Sequence, residues 1–227
     1  MIVYPYGSSH CRNVFCEESF GCEKGTISKA NILNKWASKG LHVKDADMNG
    51  VNERSMLRFI KEPYVGDPST LRCYMFGEID IRVNCSISPG NEIIPYKDRI
   101  ETYLVKPFID IFVDMGANNQ KTVILAVQPP MFADKDLLES QYMYRWDKKL
   151  KVPDPRPKWT NFMNSLLEQK CKENNMTFFD PWTSYELDEN GFMPSDQCDG
   201  ICHIKDASLA LEETMSFLYN KFIVTSQ

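Results

Sequence analysis

Short apolar strands alternate with amphipathic helices along this chain, and this alternation is the feature that most constrains its fold. Four short segments rich in β-branched or aromatic residues are predicted to be strands: residues 2–6, 71–76, 122–127 and 176–179. Helices are predicted from near Ser9 and over residues 27–39, 99–115, 159–174 and 207–222. Strands separated by helices favour a parallel sheet covered on both faces. We therefore expect an α/β fold, a three-layer α/β/α sandwich with a mainly parallel central sheet.

Length and composition indicate one globular unit. The chain has 227 residues, of which 43% are hydrophobic, which is enough for one sizeable core and predicts a single domain over residues 1–227. The formal net charge of -5 disfavours nucleic acid as a partner, because phosphate contacts need a basic face. No stretch of about 18 consecutive apolar residues occurs, so no membrane span is predicted.

The cysteines and the N-terminus indicate the compartment. The eight cysteines show neither C-x-x-C pairs nor zinc-ligand spacing, and the N-terminus lacks the features of a signal peptide. Reduced thiols in a cytoplasmic protein are the simplest interpretation. The acidic triplet at Asp45 to Asp47 has no clear strand before it. We therefore predict neither a metal site nor a cofactor.

Polar clusters follow three of the predicted strands, at the edge where a parallel sheet binds its ligands. One begins at Gly7, one at Gly77 and one at Gln128, while an Asp/His pair precedes the last helix and can reach the same edge. The predicted catalytic residues are Ser9, Asp80, Asp199 and His203. The predicted substrate-binding residues are Gly7, Ser8, His10, Arg12, Gly77, Glu78 and Arg82.

The order of these motifs resembles the SGNH/GDSL-type hydrolase superfamily. The chain reads G-S-S-H after the first strand, F-G-E-I-D-I-R after the second, V-Q-P-P after the third and D-G-I-C-H-I before the last helix. The G-E-I-D block is similar to that of a subgroup whose domains accompany glycosyltransferase or methyltransferase domains in proteins that build surface polysaccharides. The resemblance implies an SGNH-like catalytic domain with a role in glycan biosynthesis, either alone or as a domain of a larger protein.

The resemblance also implies roles for individual residues. The first block of that superfamily supplies a nucleophilic serine, which maps to Ser9, and the last block supplies the residues that map to Asp199 and His203. The block after the second strand normally ends in Asn-Asp, and its Asn donates a hydrogen bond to the oxyanion. Ile79 stands at that position here and cannot donate from its side chain. Loss of one such donor typically costs about 2.7–4 kcal/mol of transition-state stabilisation, so hydrolysis would need a replacement donor.

The same residues allow two chemistries. In the first, Ser9 attacks an ester carbonyl, His203 takes its proton and Asp199 orients the imidazole, as in an esterase or O-acetyltransferase acting on a sugar polymer. In the second, the turn at Gly7 and nearby arginines bind the diphosphate of a nucleotide sugar. His203 or Asp80 then deprotonates the acceptor hydroxyl in an inverting transfer.

We favour the second chemistry, because glycosyl transfer needs no oxyanion hole and the substitution at Ile79 is then harmless. We therefore expect a glycosyltransferase that moves a sugar from a nucleotide diphosphate donor to a glycan acceptor without a metal. The serine esterase or O-acetyltransferase is the alternative. A glycan-binding module without turnover is a third class, and convergence of Ser9, Asp80 and His203 in one pocket would argue against it.

Overall fold

The computed structural model describes most of the predicted strands and helices. The described residues are 1–7, 9–15, 29–44, 70–78, 80–81, 96–114, 116, 121–131, 156–197 and 204–226, with residues 9, 10, 12 and 226 described by their backbone alone. These ranges form a parallel sheet with helices packed on both faces.

The sheet contains five strands that run in the same direction. They are β1 (Ile2–Gly7), β2 (His42–Val43), β3 (Thr70–Met75), β4 (Thr122–Leu125) and β5 (Thr177–Phe179). Their spatial order is β2-β1-β3-β4-β5, and each neighbouring pair is parallel. The register pairs Gly7 with Met75, and Met75 with Leu125. The central strands β1, β3 and β4 therefore end side by side at one edge.

The described residues form five helices. They are α1 (Ser9–Phe15), α2 (Lys29–Ala37), α3, α4 (Arg156–Glu173) and α5 (Ser208–Phe222). Helix α3 is continuous through Tyr96–Arg99, a wider π-helical segment at Ile100–Val105, and Lys106–Asp114. One short 3-10 turn, Ser195–Gln197, lies between α4 and α5, and another, Val224–Ser226, follows α5.

Alternate residues of each strand point to opposite faces of the sheet, which produces two hydrophobic layers. In β3, Leu71, Cys73 and Met75 pack on one side and Tyr74 packs on the other. Helices α1, α2 and α5 cover the first side, and helices α3 and α4 cover the second. The predicted three-layer α/β/α fold with a parallel sheet is confirmed.

Observed and predicted element bounds agree to within a few residues wherever the structure describes them. Helix α4 shows the reason, since Met163, Leu167 and Cys171 recur every four residues on its buried face. Strand β2 was not predicted, because two residues are too few to show a period. None of the described helices combines the length and the hydropathy of a membrane-spanning segment.

Candidate active site

The chain turns sharply from β1 into α1 at the carboxyl edge of the sheet. Gly7 ends β1, and Ser9 begins α1. A Cβ atom at Gly7 would lie 2.3 Å from the carbonyl oxygen of Met75 and 2.5 Å from the Cβ of Cys11. Glycine is required there because β3 and α1 approach the backbone too closely for any side chain. The turn therefore places Ser9 at the edge where parallel sheets bind their ligands.

Strand β3 leads into a second tight glycine turn. Gly77 has a φ of +111°, and a Cβ there would lie 2.5 Å from the Cε of Met163 and 2.9 Å from the Cγ2 of Val127. The N–H of Ile81 donates to the carbonyl oxygen of Gly77 at 2.9 Å. This hydrogen bond closes one helical turn directly after the strand.

Two predicted acidic site residues, Glu78 and Asp80, lie in this turn. Glu78 is only 7% exposed and Asp80 is half-buried. Carboxylates are seldom buried without a partner, and both residues have an interaction with other groups of the protein. The burial of Glu78 favours a role in holding the turn after β3, whereas Asp80 keeps part of its surface exposed.

A buried amide follows β4. Gln128 is 2% exposed, and its neighbour Val127 is fixed by Asn164 of α4. The N–H of Val127 donates to Asn164 Oδ1 at 2.8 Å, and Asn164 Nδ2 donates to the carbonyl oxygen of Val127 at 3.0 Å. Since β1, β3 and β4 are neighbours, Gly7, Gly77 and Gln128 lie at one edge of the sheet.

Helix α1 is bound to the chain segment that follows His203. Asn13 of α1 is fully buried, and its Nδ2 donates to the carbonyl oxygen of Ile204 at 2.6 Å. The carbonyl oxygen of Asn13 accepts a hydrogen bond from the ammonium group of Lys29, a buried residue at the start of α2. Two helices and the segment at Ile204 therefore meet at one buried residue, which uses its backbone for α2 and its side chain for Ile204.

Only part of the predicted site falls within the described residues. Side chains are described for Gly7, Gly77, Glu78 and Asp80, and the backbone of α1 is described for Ser9, His10 and Arg12. The following residues lie outside the described ranges: Ser8, Asp45, Asp47, Ile79, Arg82, Asp199 and His203. The convergence of Ser9, Asp80 and His203 in one pocket therefore stays a prediction. Among the described residues, no group of three His, Cys, Asp or Glu side chains is arranged to hold a metal ion.

Asn13 and Asn164 are not among the site residues predicted from the sequence. The signal that could have found Asn13 is a polar residue within a buried apolar run, since Cys11, Val14 and Phe15 of the same helix are all buried. Asn164 carries no such signal, because its hydrogen bonds are to the backbone of a segment 37 residues away.

The chain matches no protein-family model and no curated protein. Its structure is similar to that of a GDSL-like lipase from Bacteroides thetaiotaomicron, with a TM-score of 0.54, 14% identity, and coverage of 100% of this chain and 88% of the lipase. A carbohydrate acetylesterase family member from Sinorhizobium meliloti gives a TM-score of 0.55 at 12% identity, with 98% of this chain and 99% of that chain covered. Phospholipase A1 from Streptomyces albidoflavus gives 0.53 at 14% identity, with 97% and 98% covered.

These neighbours correct the predicted activity. They are named a lipase, an acetylesterase and a phospholipase, all of them ester hydrolases, so the prediction of a glycosyltransferase with a nucleotide sugar donor is wrong. The alternative, an SGNH-type esterase, agrees better with the structures that share this architecture. They do not identify the polysaccharide subgroup suggested by the G-E-I-D block. Along nearly its whole length, the chain has the fold of the SGNH/GDSL-like hydrolases.

Proposed function

We propose that the protein is a serine ester hydrolase in which Ser9 is the nucleophile, His203 is the general base and Asp199 orients the imidazole. One contact chiefly supports this proposal: Asn13 of α1 binds Ile204, the residue that follows His203. Ser9 begins the same helix at the carboxyl edge of the sheet. The fold shared with ester hydrolases is consistent with this chemistry, although a fold alone does not determine a reaction.

The proposed reaction consists of two acyl transfers. The Oγ of Ser9 attacks the ester carbonyl while His203 takes the hydroxyl proton, and the alcohol then leaves with that proton. Water attacks the resulting acyl-enzyme with His203 again as the base, and the carboxylic acid leaves as Ser9 regains its proton. Asp199 stabilises the imidazolium that forms in each step, and Asp80 has no step in this mechanism.

The oxyanion is stabilised in this proposal by backbone N–H groups. The first N–H groups of a helix have no acceptor within the helix, and α1 begins at Ser9. The side chain of Ile79 adds no donor. Because one oxyanion donor contributes about 10²–10³-fold to kcat, we expect turnover that is slow for an esterase but measurable.

The proposed substrate is a small acyl group, such as acetate, carried by a sugar. The G-E-I-D block resembles that of domains in polysaccharide-building proteins, and one structural neighbour is named a carbohydrate acetylesterase. Two other neighbours are named a lipase and a phospholipase. Long-chain esters are therefore the comparison class, and we expect p-nitrophenyl acetate and an acetylated xylooligosaccharide to be cleaved faster than p-nitrophenyl palmitate.

Replacement of Ser9 tests the proposed nucleophile. We expect Ser9→Ala to lower kcat for p-nitrophenyl acetate by about 10⁴-fold or more, because no other group can form the acyl-enzyme. A fluorophosphonate should label the wild-type protein at Ser9, as identified by mass spectrometry of the labelled peptide. Ser38→Ala is the matched control, since Ser38 is exposed at the end of α2 and donates to Lys35. Full activity of Ser9→Ala, or labelling at another serine, would contradict the proposal.

A further inference from the structure

Asn13 occupies a position that packing alone does not explain. Its neighbours on α1, Cys11, Val14 and Phe15, all belong to the hydrophobic core, and Asn13 itself is fully buried. Burying an amide costs free energy that an apolar side chain of similar volume would not require. Here the cost is offset by one short hydrogen bond, from Nδ2 to the carbonyl oxygen of Ile204.

The orientation of the Asn13 amide follows from its contacts. A carbonyl oxygen can only accept, so the group that faces Ile204 must be the NH2 and not the oxygen. The Oδ1 atom has no hydrogen-bond partner among the described residues. The NH2 group of Asn13 therefore binds a residue that lies 191 positions away in the sequence.

The two ends of this hydrogen bond are close in sequence to the two reacting residues of the proposed triad. Asn13 stands four residues after Ser9, which is about one turn of α1. Ile204 directly follows His203. The hydrogen bond therefore joins the helix that begins with the proposed nucleophile to the residue that directly follows the proposed base in the sequence.

Lys29 fixes the other side of Asn13. The buried ammonium group of Lys29 donates to the backbone carbonyl oxygen of Asn13, which lies near the end of α1. Cations near a helix C-terminus interact favourably with its exposed carbonyls. Asn13 is thus held through its backbone while its side chain holds Ile204, as expected of a rigid connection between two segments.

We infer that Asn13 is a positioning residue, which ties the residue that follows His203 to the helix that begins at Ser9. The inference rests on the proposed esterase function, because that function gives both residues their roles. Asn13 touches neither substrate nor reacting atoms in this account. It acts through Ile204, and its loss removes the hydrogen bond that ties this residue to α1.

Kinetics of Asn13 variants test this inference. Asn13→Ala removes the hydrogen bond, and Asn13→Asp keeps the shape of the side chain but replaces the donor by an acceptor. We expect each folded variant to lose kcat for p-nitrophenyl acetate by about 10²-fold, the scale for a misplacement of about 1 Å, with KM nearly unchanged. The rate of Ser9 labelling by a fluorophosphonate should fall in parallel, since it also needs the base in place.

Thr214→Val is the matched control. Thr214 is fully buried in α5, and its Oγ1 donates to the carbonyl oxygen of Ala210 at 2.7 Å, so this nearly isosteric change also removes a buried hydrogen bond. We expect it to lower stability while kcat stays at the wild-type value. Wild-type kcat in a folded Asn13 variant, or an equal loss of kcat in Thr214→Val, would overturn the inference.

Two further outcomes separate this inference from the proposed function. If Ser9→Ala is inactive and the Asn13 variants are fully active, the esterase proposal stands and the positioning role is wrong. If Ser9→Ala is fully active, the proposed function itself fails. If neither Asn13 variant folds, Asn13 serves folding rather than positioning, and the inference is overturned.

Discussion

At the scale of single residues, the carboxyl edge of the sheet is shaped by backbone atoms that approach each other closely. The Cβ that Gly7 lacks would meet the carbonyl oxygen of Met75, which cannot move without breaking the pairing of β1 with β3. At Gly77 the corresponding contacts are with the ends of two side chains, Met163 and Val127, which can adjust. Gly7 is therefore constrained by backbone packing, whereas Gly77 is constrained chiefly by its φ of +111°.

Replacement of Gly7 by alanine tests this constraint. We expect Gly7→Ala to lower the free energy of unfolding by about 3 kcal/mol, the upper range for overpacking a well-packed site, as measured by urea denaturation. Gly40→Ala is the control, because Gly40 has a φ of +85° but no atom within 4 Å of an added Cβ. Its cost should be only the left-handed strain of about 1–2 kcal/mol. A Gly7→Ala variant as stable as Gly40→Ala would contradict the packing argument.

At the scale of secondary-structure elements, helix α4 forms hydrogen bonds with the backbone of the residues that follow β4. Asn164 pairs with both backbone groups of Val127, as a neighbouring strand residue would. The indole N–H of Trp182 donates to the carbonyl oxygen of Ala126 at 3.0 Å, and the N–H of Met193 donates to that of Pro130 at 3.0 Å. The segment that contains Gln128 is therefore held by hydrogen bonds to Asn164, Trp182 and Met193.

Replacement of Asn164 tests the contribution of α4 to this segment. Asn164→Leu leaves the N–H and the carbonyl oxygen of Val127 without their partner, and each unsatisfied buried group costs about 1–3 kcal/mol. We expect urea denaturation to show a loss in that range or above it. Gln169→Leu on the same helix is the control, since the amide of Gln169 is exposed and donates to Glu173. Its effect on the free energy of unfolding should stay within about 0.5 kcal/mol. Equal effects of the two changes would show that the hydrogen bonds of Asn164 to Val127 do not stabilise this segment.

At the scale of the whole molecule, the layers of the fold keep several thiols away from water. Cys11, Cys73 and Cys171 are all buried, and none of them forms a disulfide within the part of the chain that the structure describes. Burial raises the pKa of Cys171 to about 12 and the pKa of Cys73 further still, because the core disfavours the thiolate. Cys73 and Cys171 are core residues whose thiolate, the reactive form, is disfavoured by burial.

The raised pKa of Cys73 predicts how stability depends on pH. The unfolded chain loses the thiol proton above a pH of about 9, whereas the folded chain retains it. The contribution of the Cys73 thiol to the free energy of unfolding is therefore fully present below pH 9. Above that pH the contribution falls by up to about 1.4 kcal/mol per pH unit. Other groups also titrate in this range, so the measurement is the difference between the wild-type protein and Cys73→Ala. Identical slopes from pH 9 to 11 would show that the thiol is accessible to water.

The sequence by itself determined the order and type of the main elements. The strands at residues 71–76 and 122–127 and the helix that begins at Ser9 were all located from local patterns, because side-chain period and turn residues are properties of neighbouring positions. The alternation of strands and helices predicted the parallel α/β fold, and the resemblance of the G-S-S-H and D-G-I-C-H-I blocks predicted that it is SGNH-like. The activity was misjudged because Ile79 was weighed as evidence against hydrolysis, although a missing side-chain donor does not exclude backbone donors.

Only the tertiary structure decided which segments meet. The strand order, the pairing of the two-residue strand β2, and the hydrogen bonds of Asn13 and Asn164 all join residues far apart in the chain. No local pattern identifies the distant carbonyl group that a buried asparagine such as Asn13 binds. The physical reason is that such a hydrogen bond forms only after the layers have packed and excluded water, so its partner is fixed by the fold and not by the neighbouring residues.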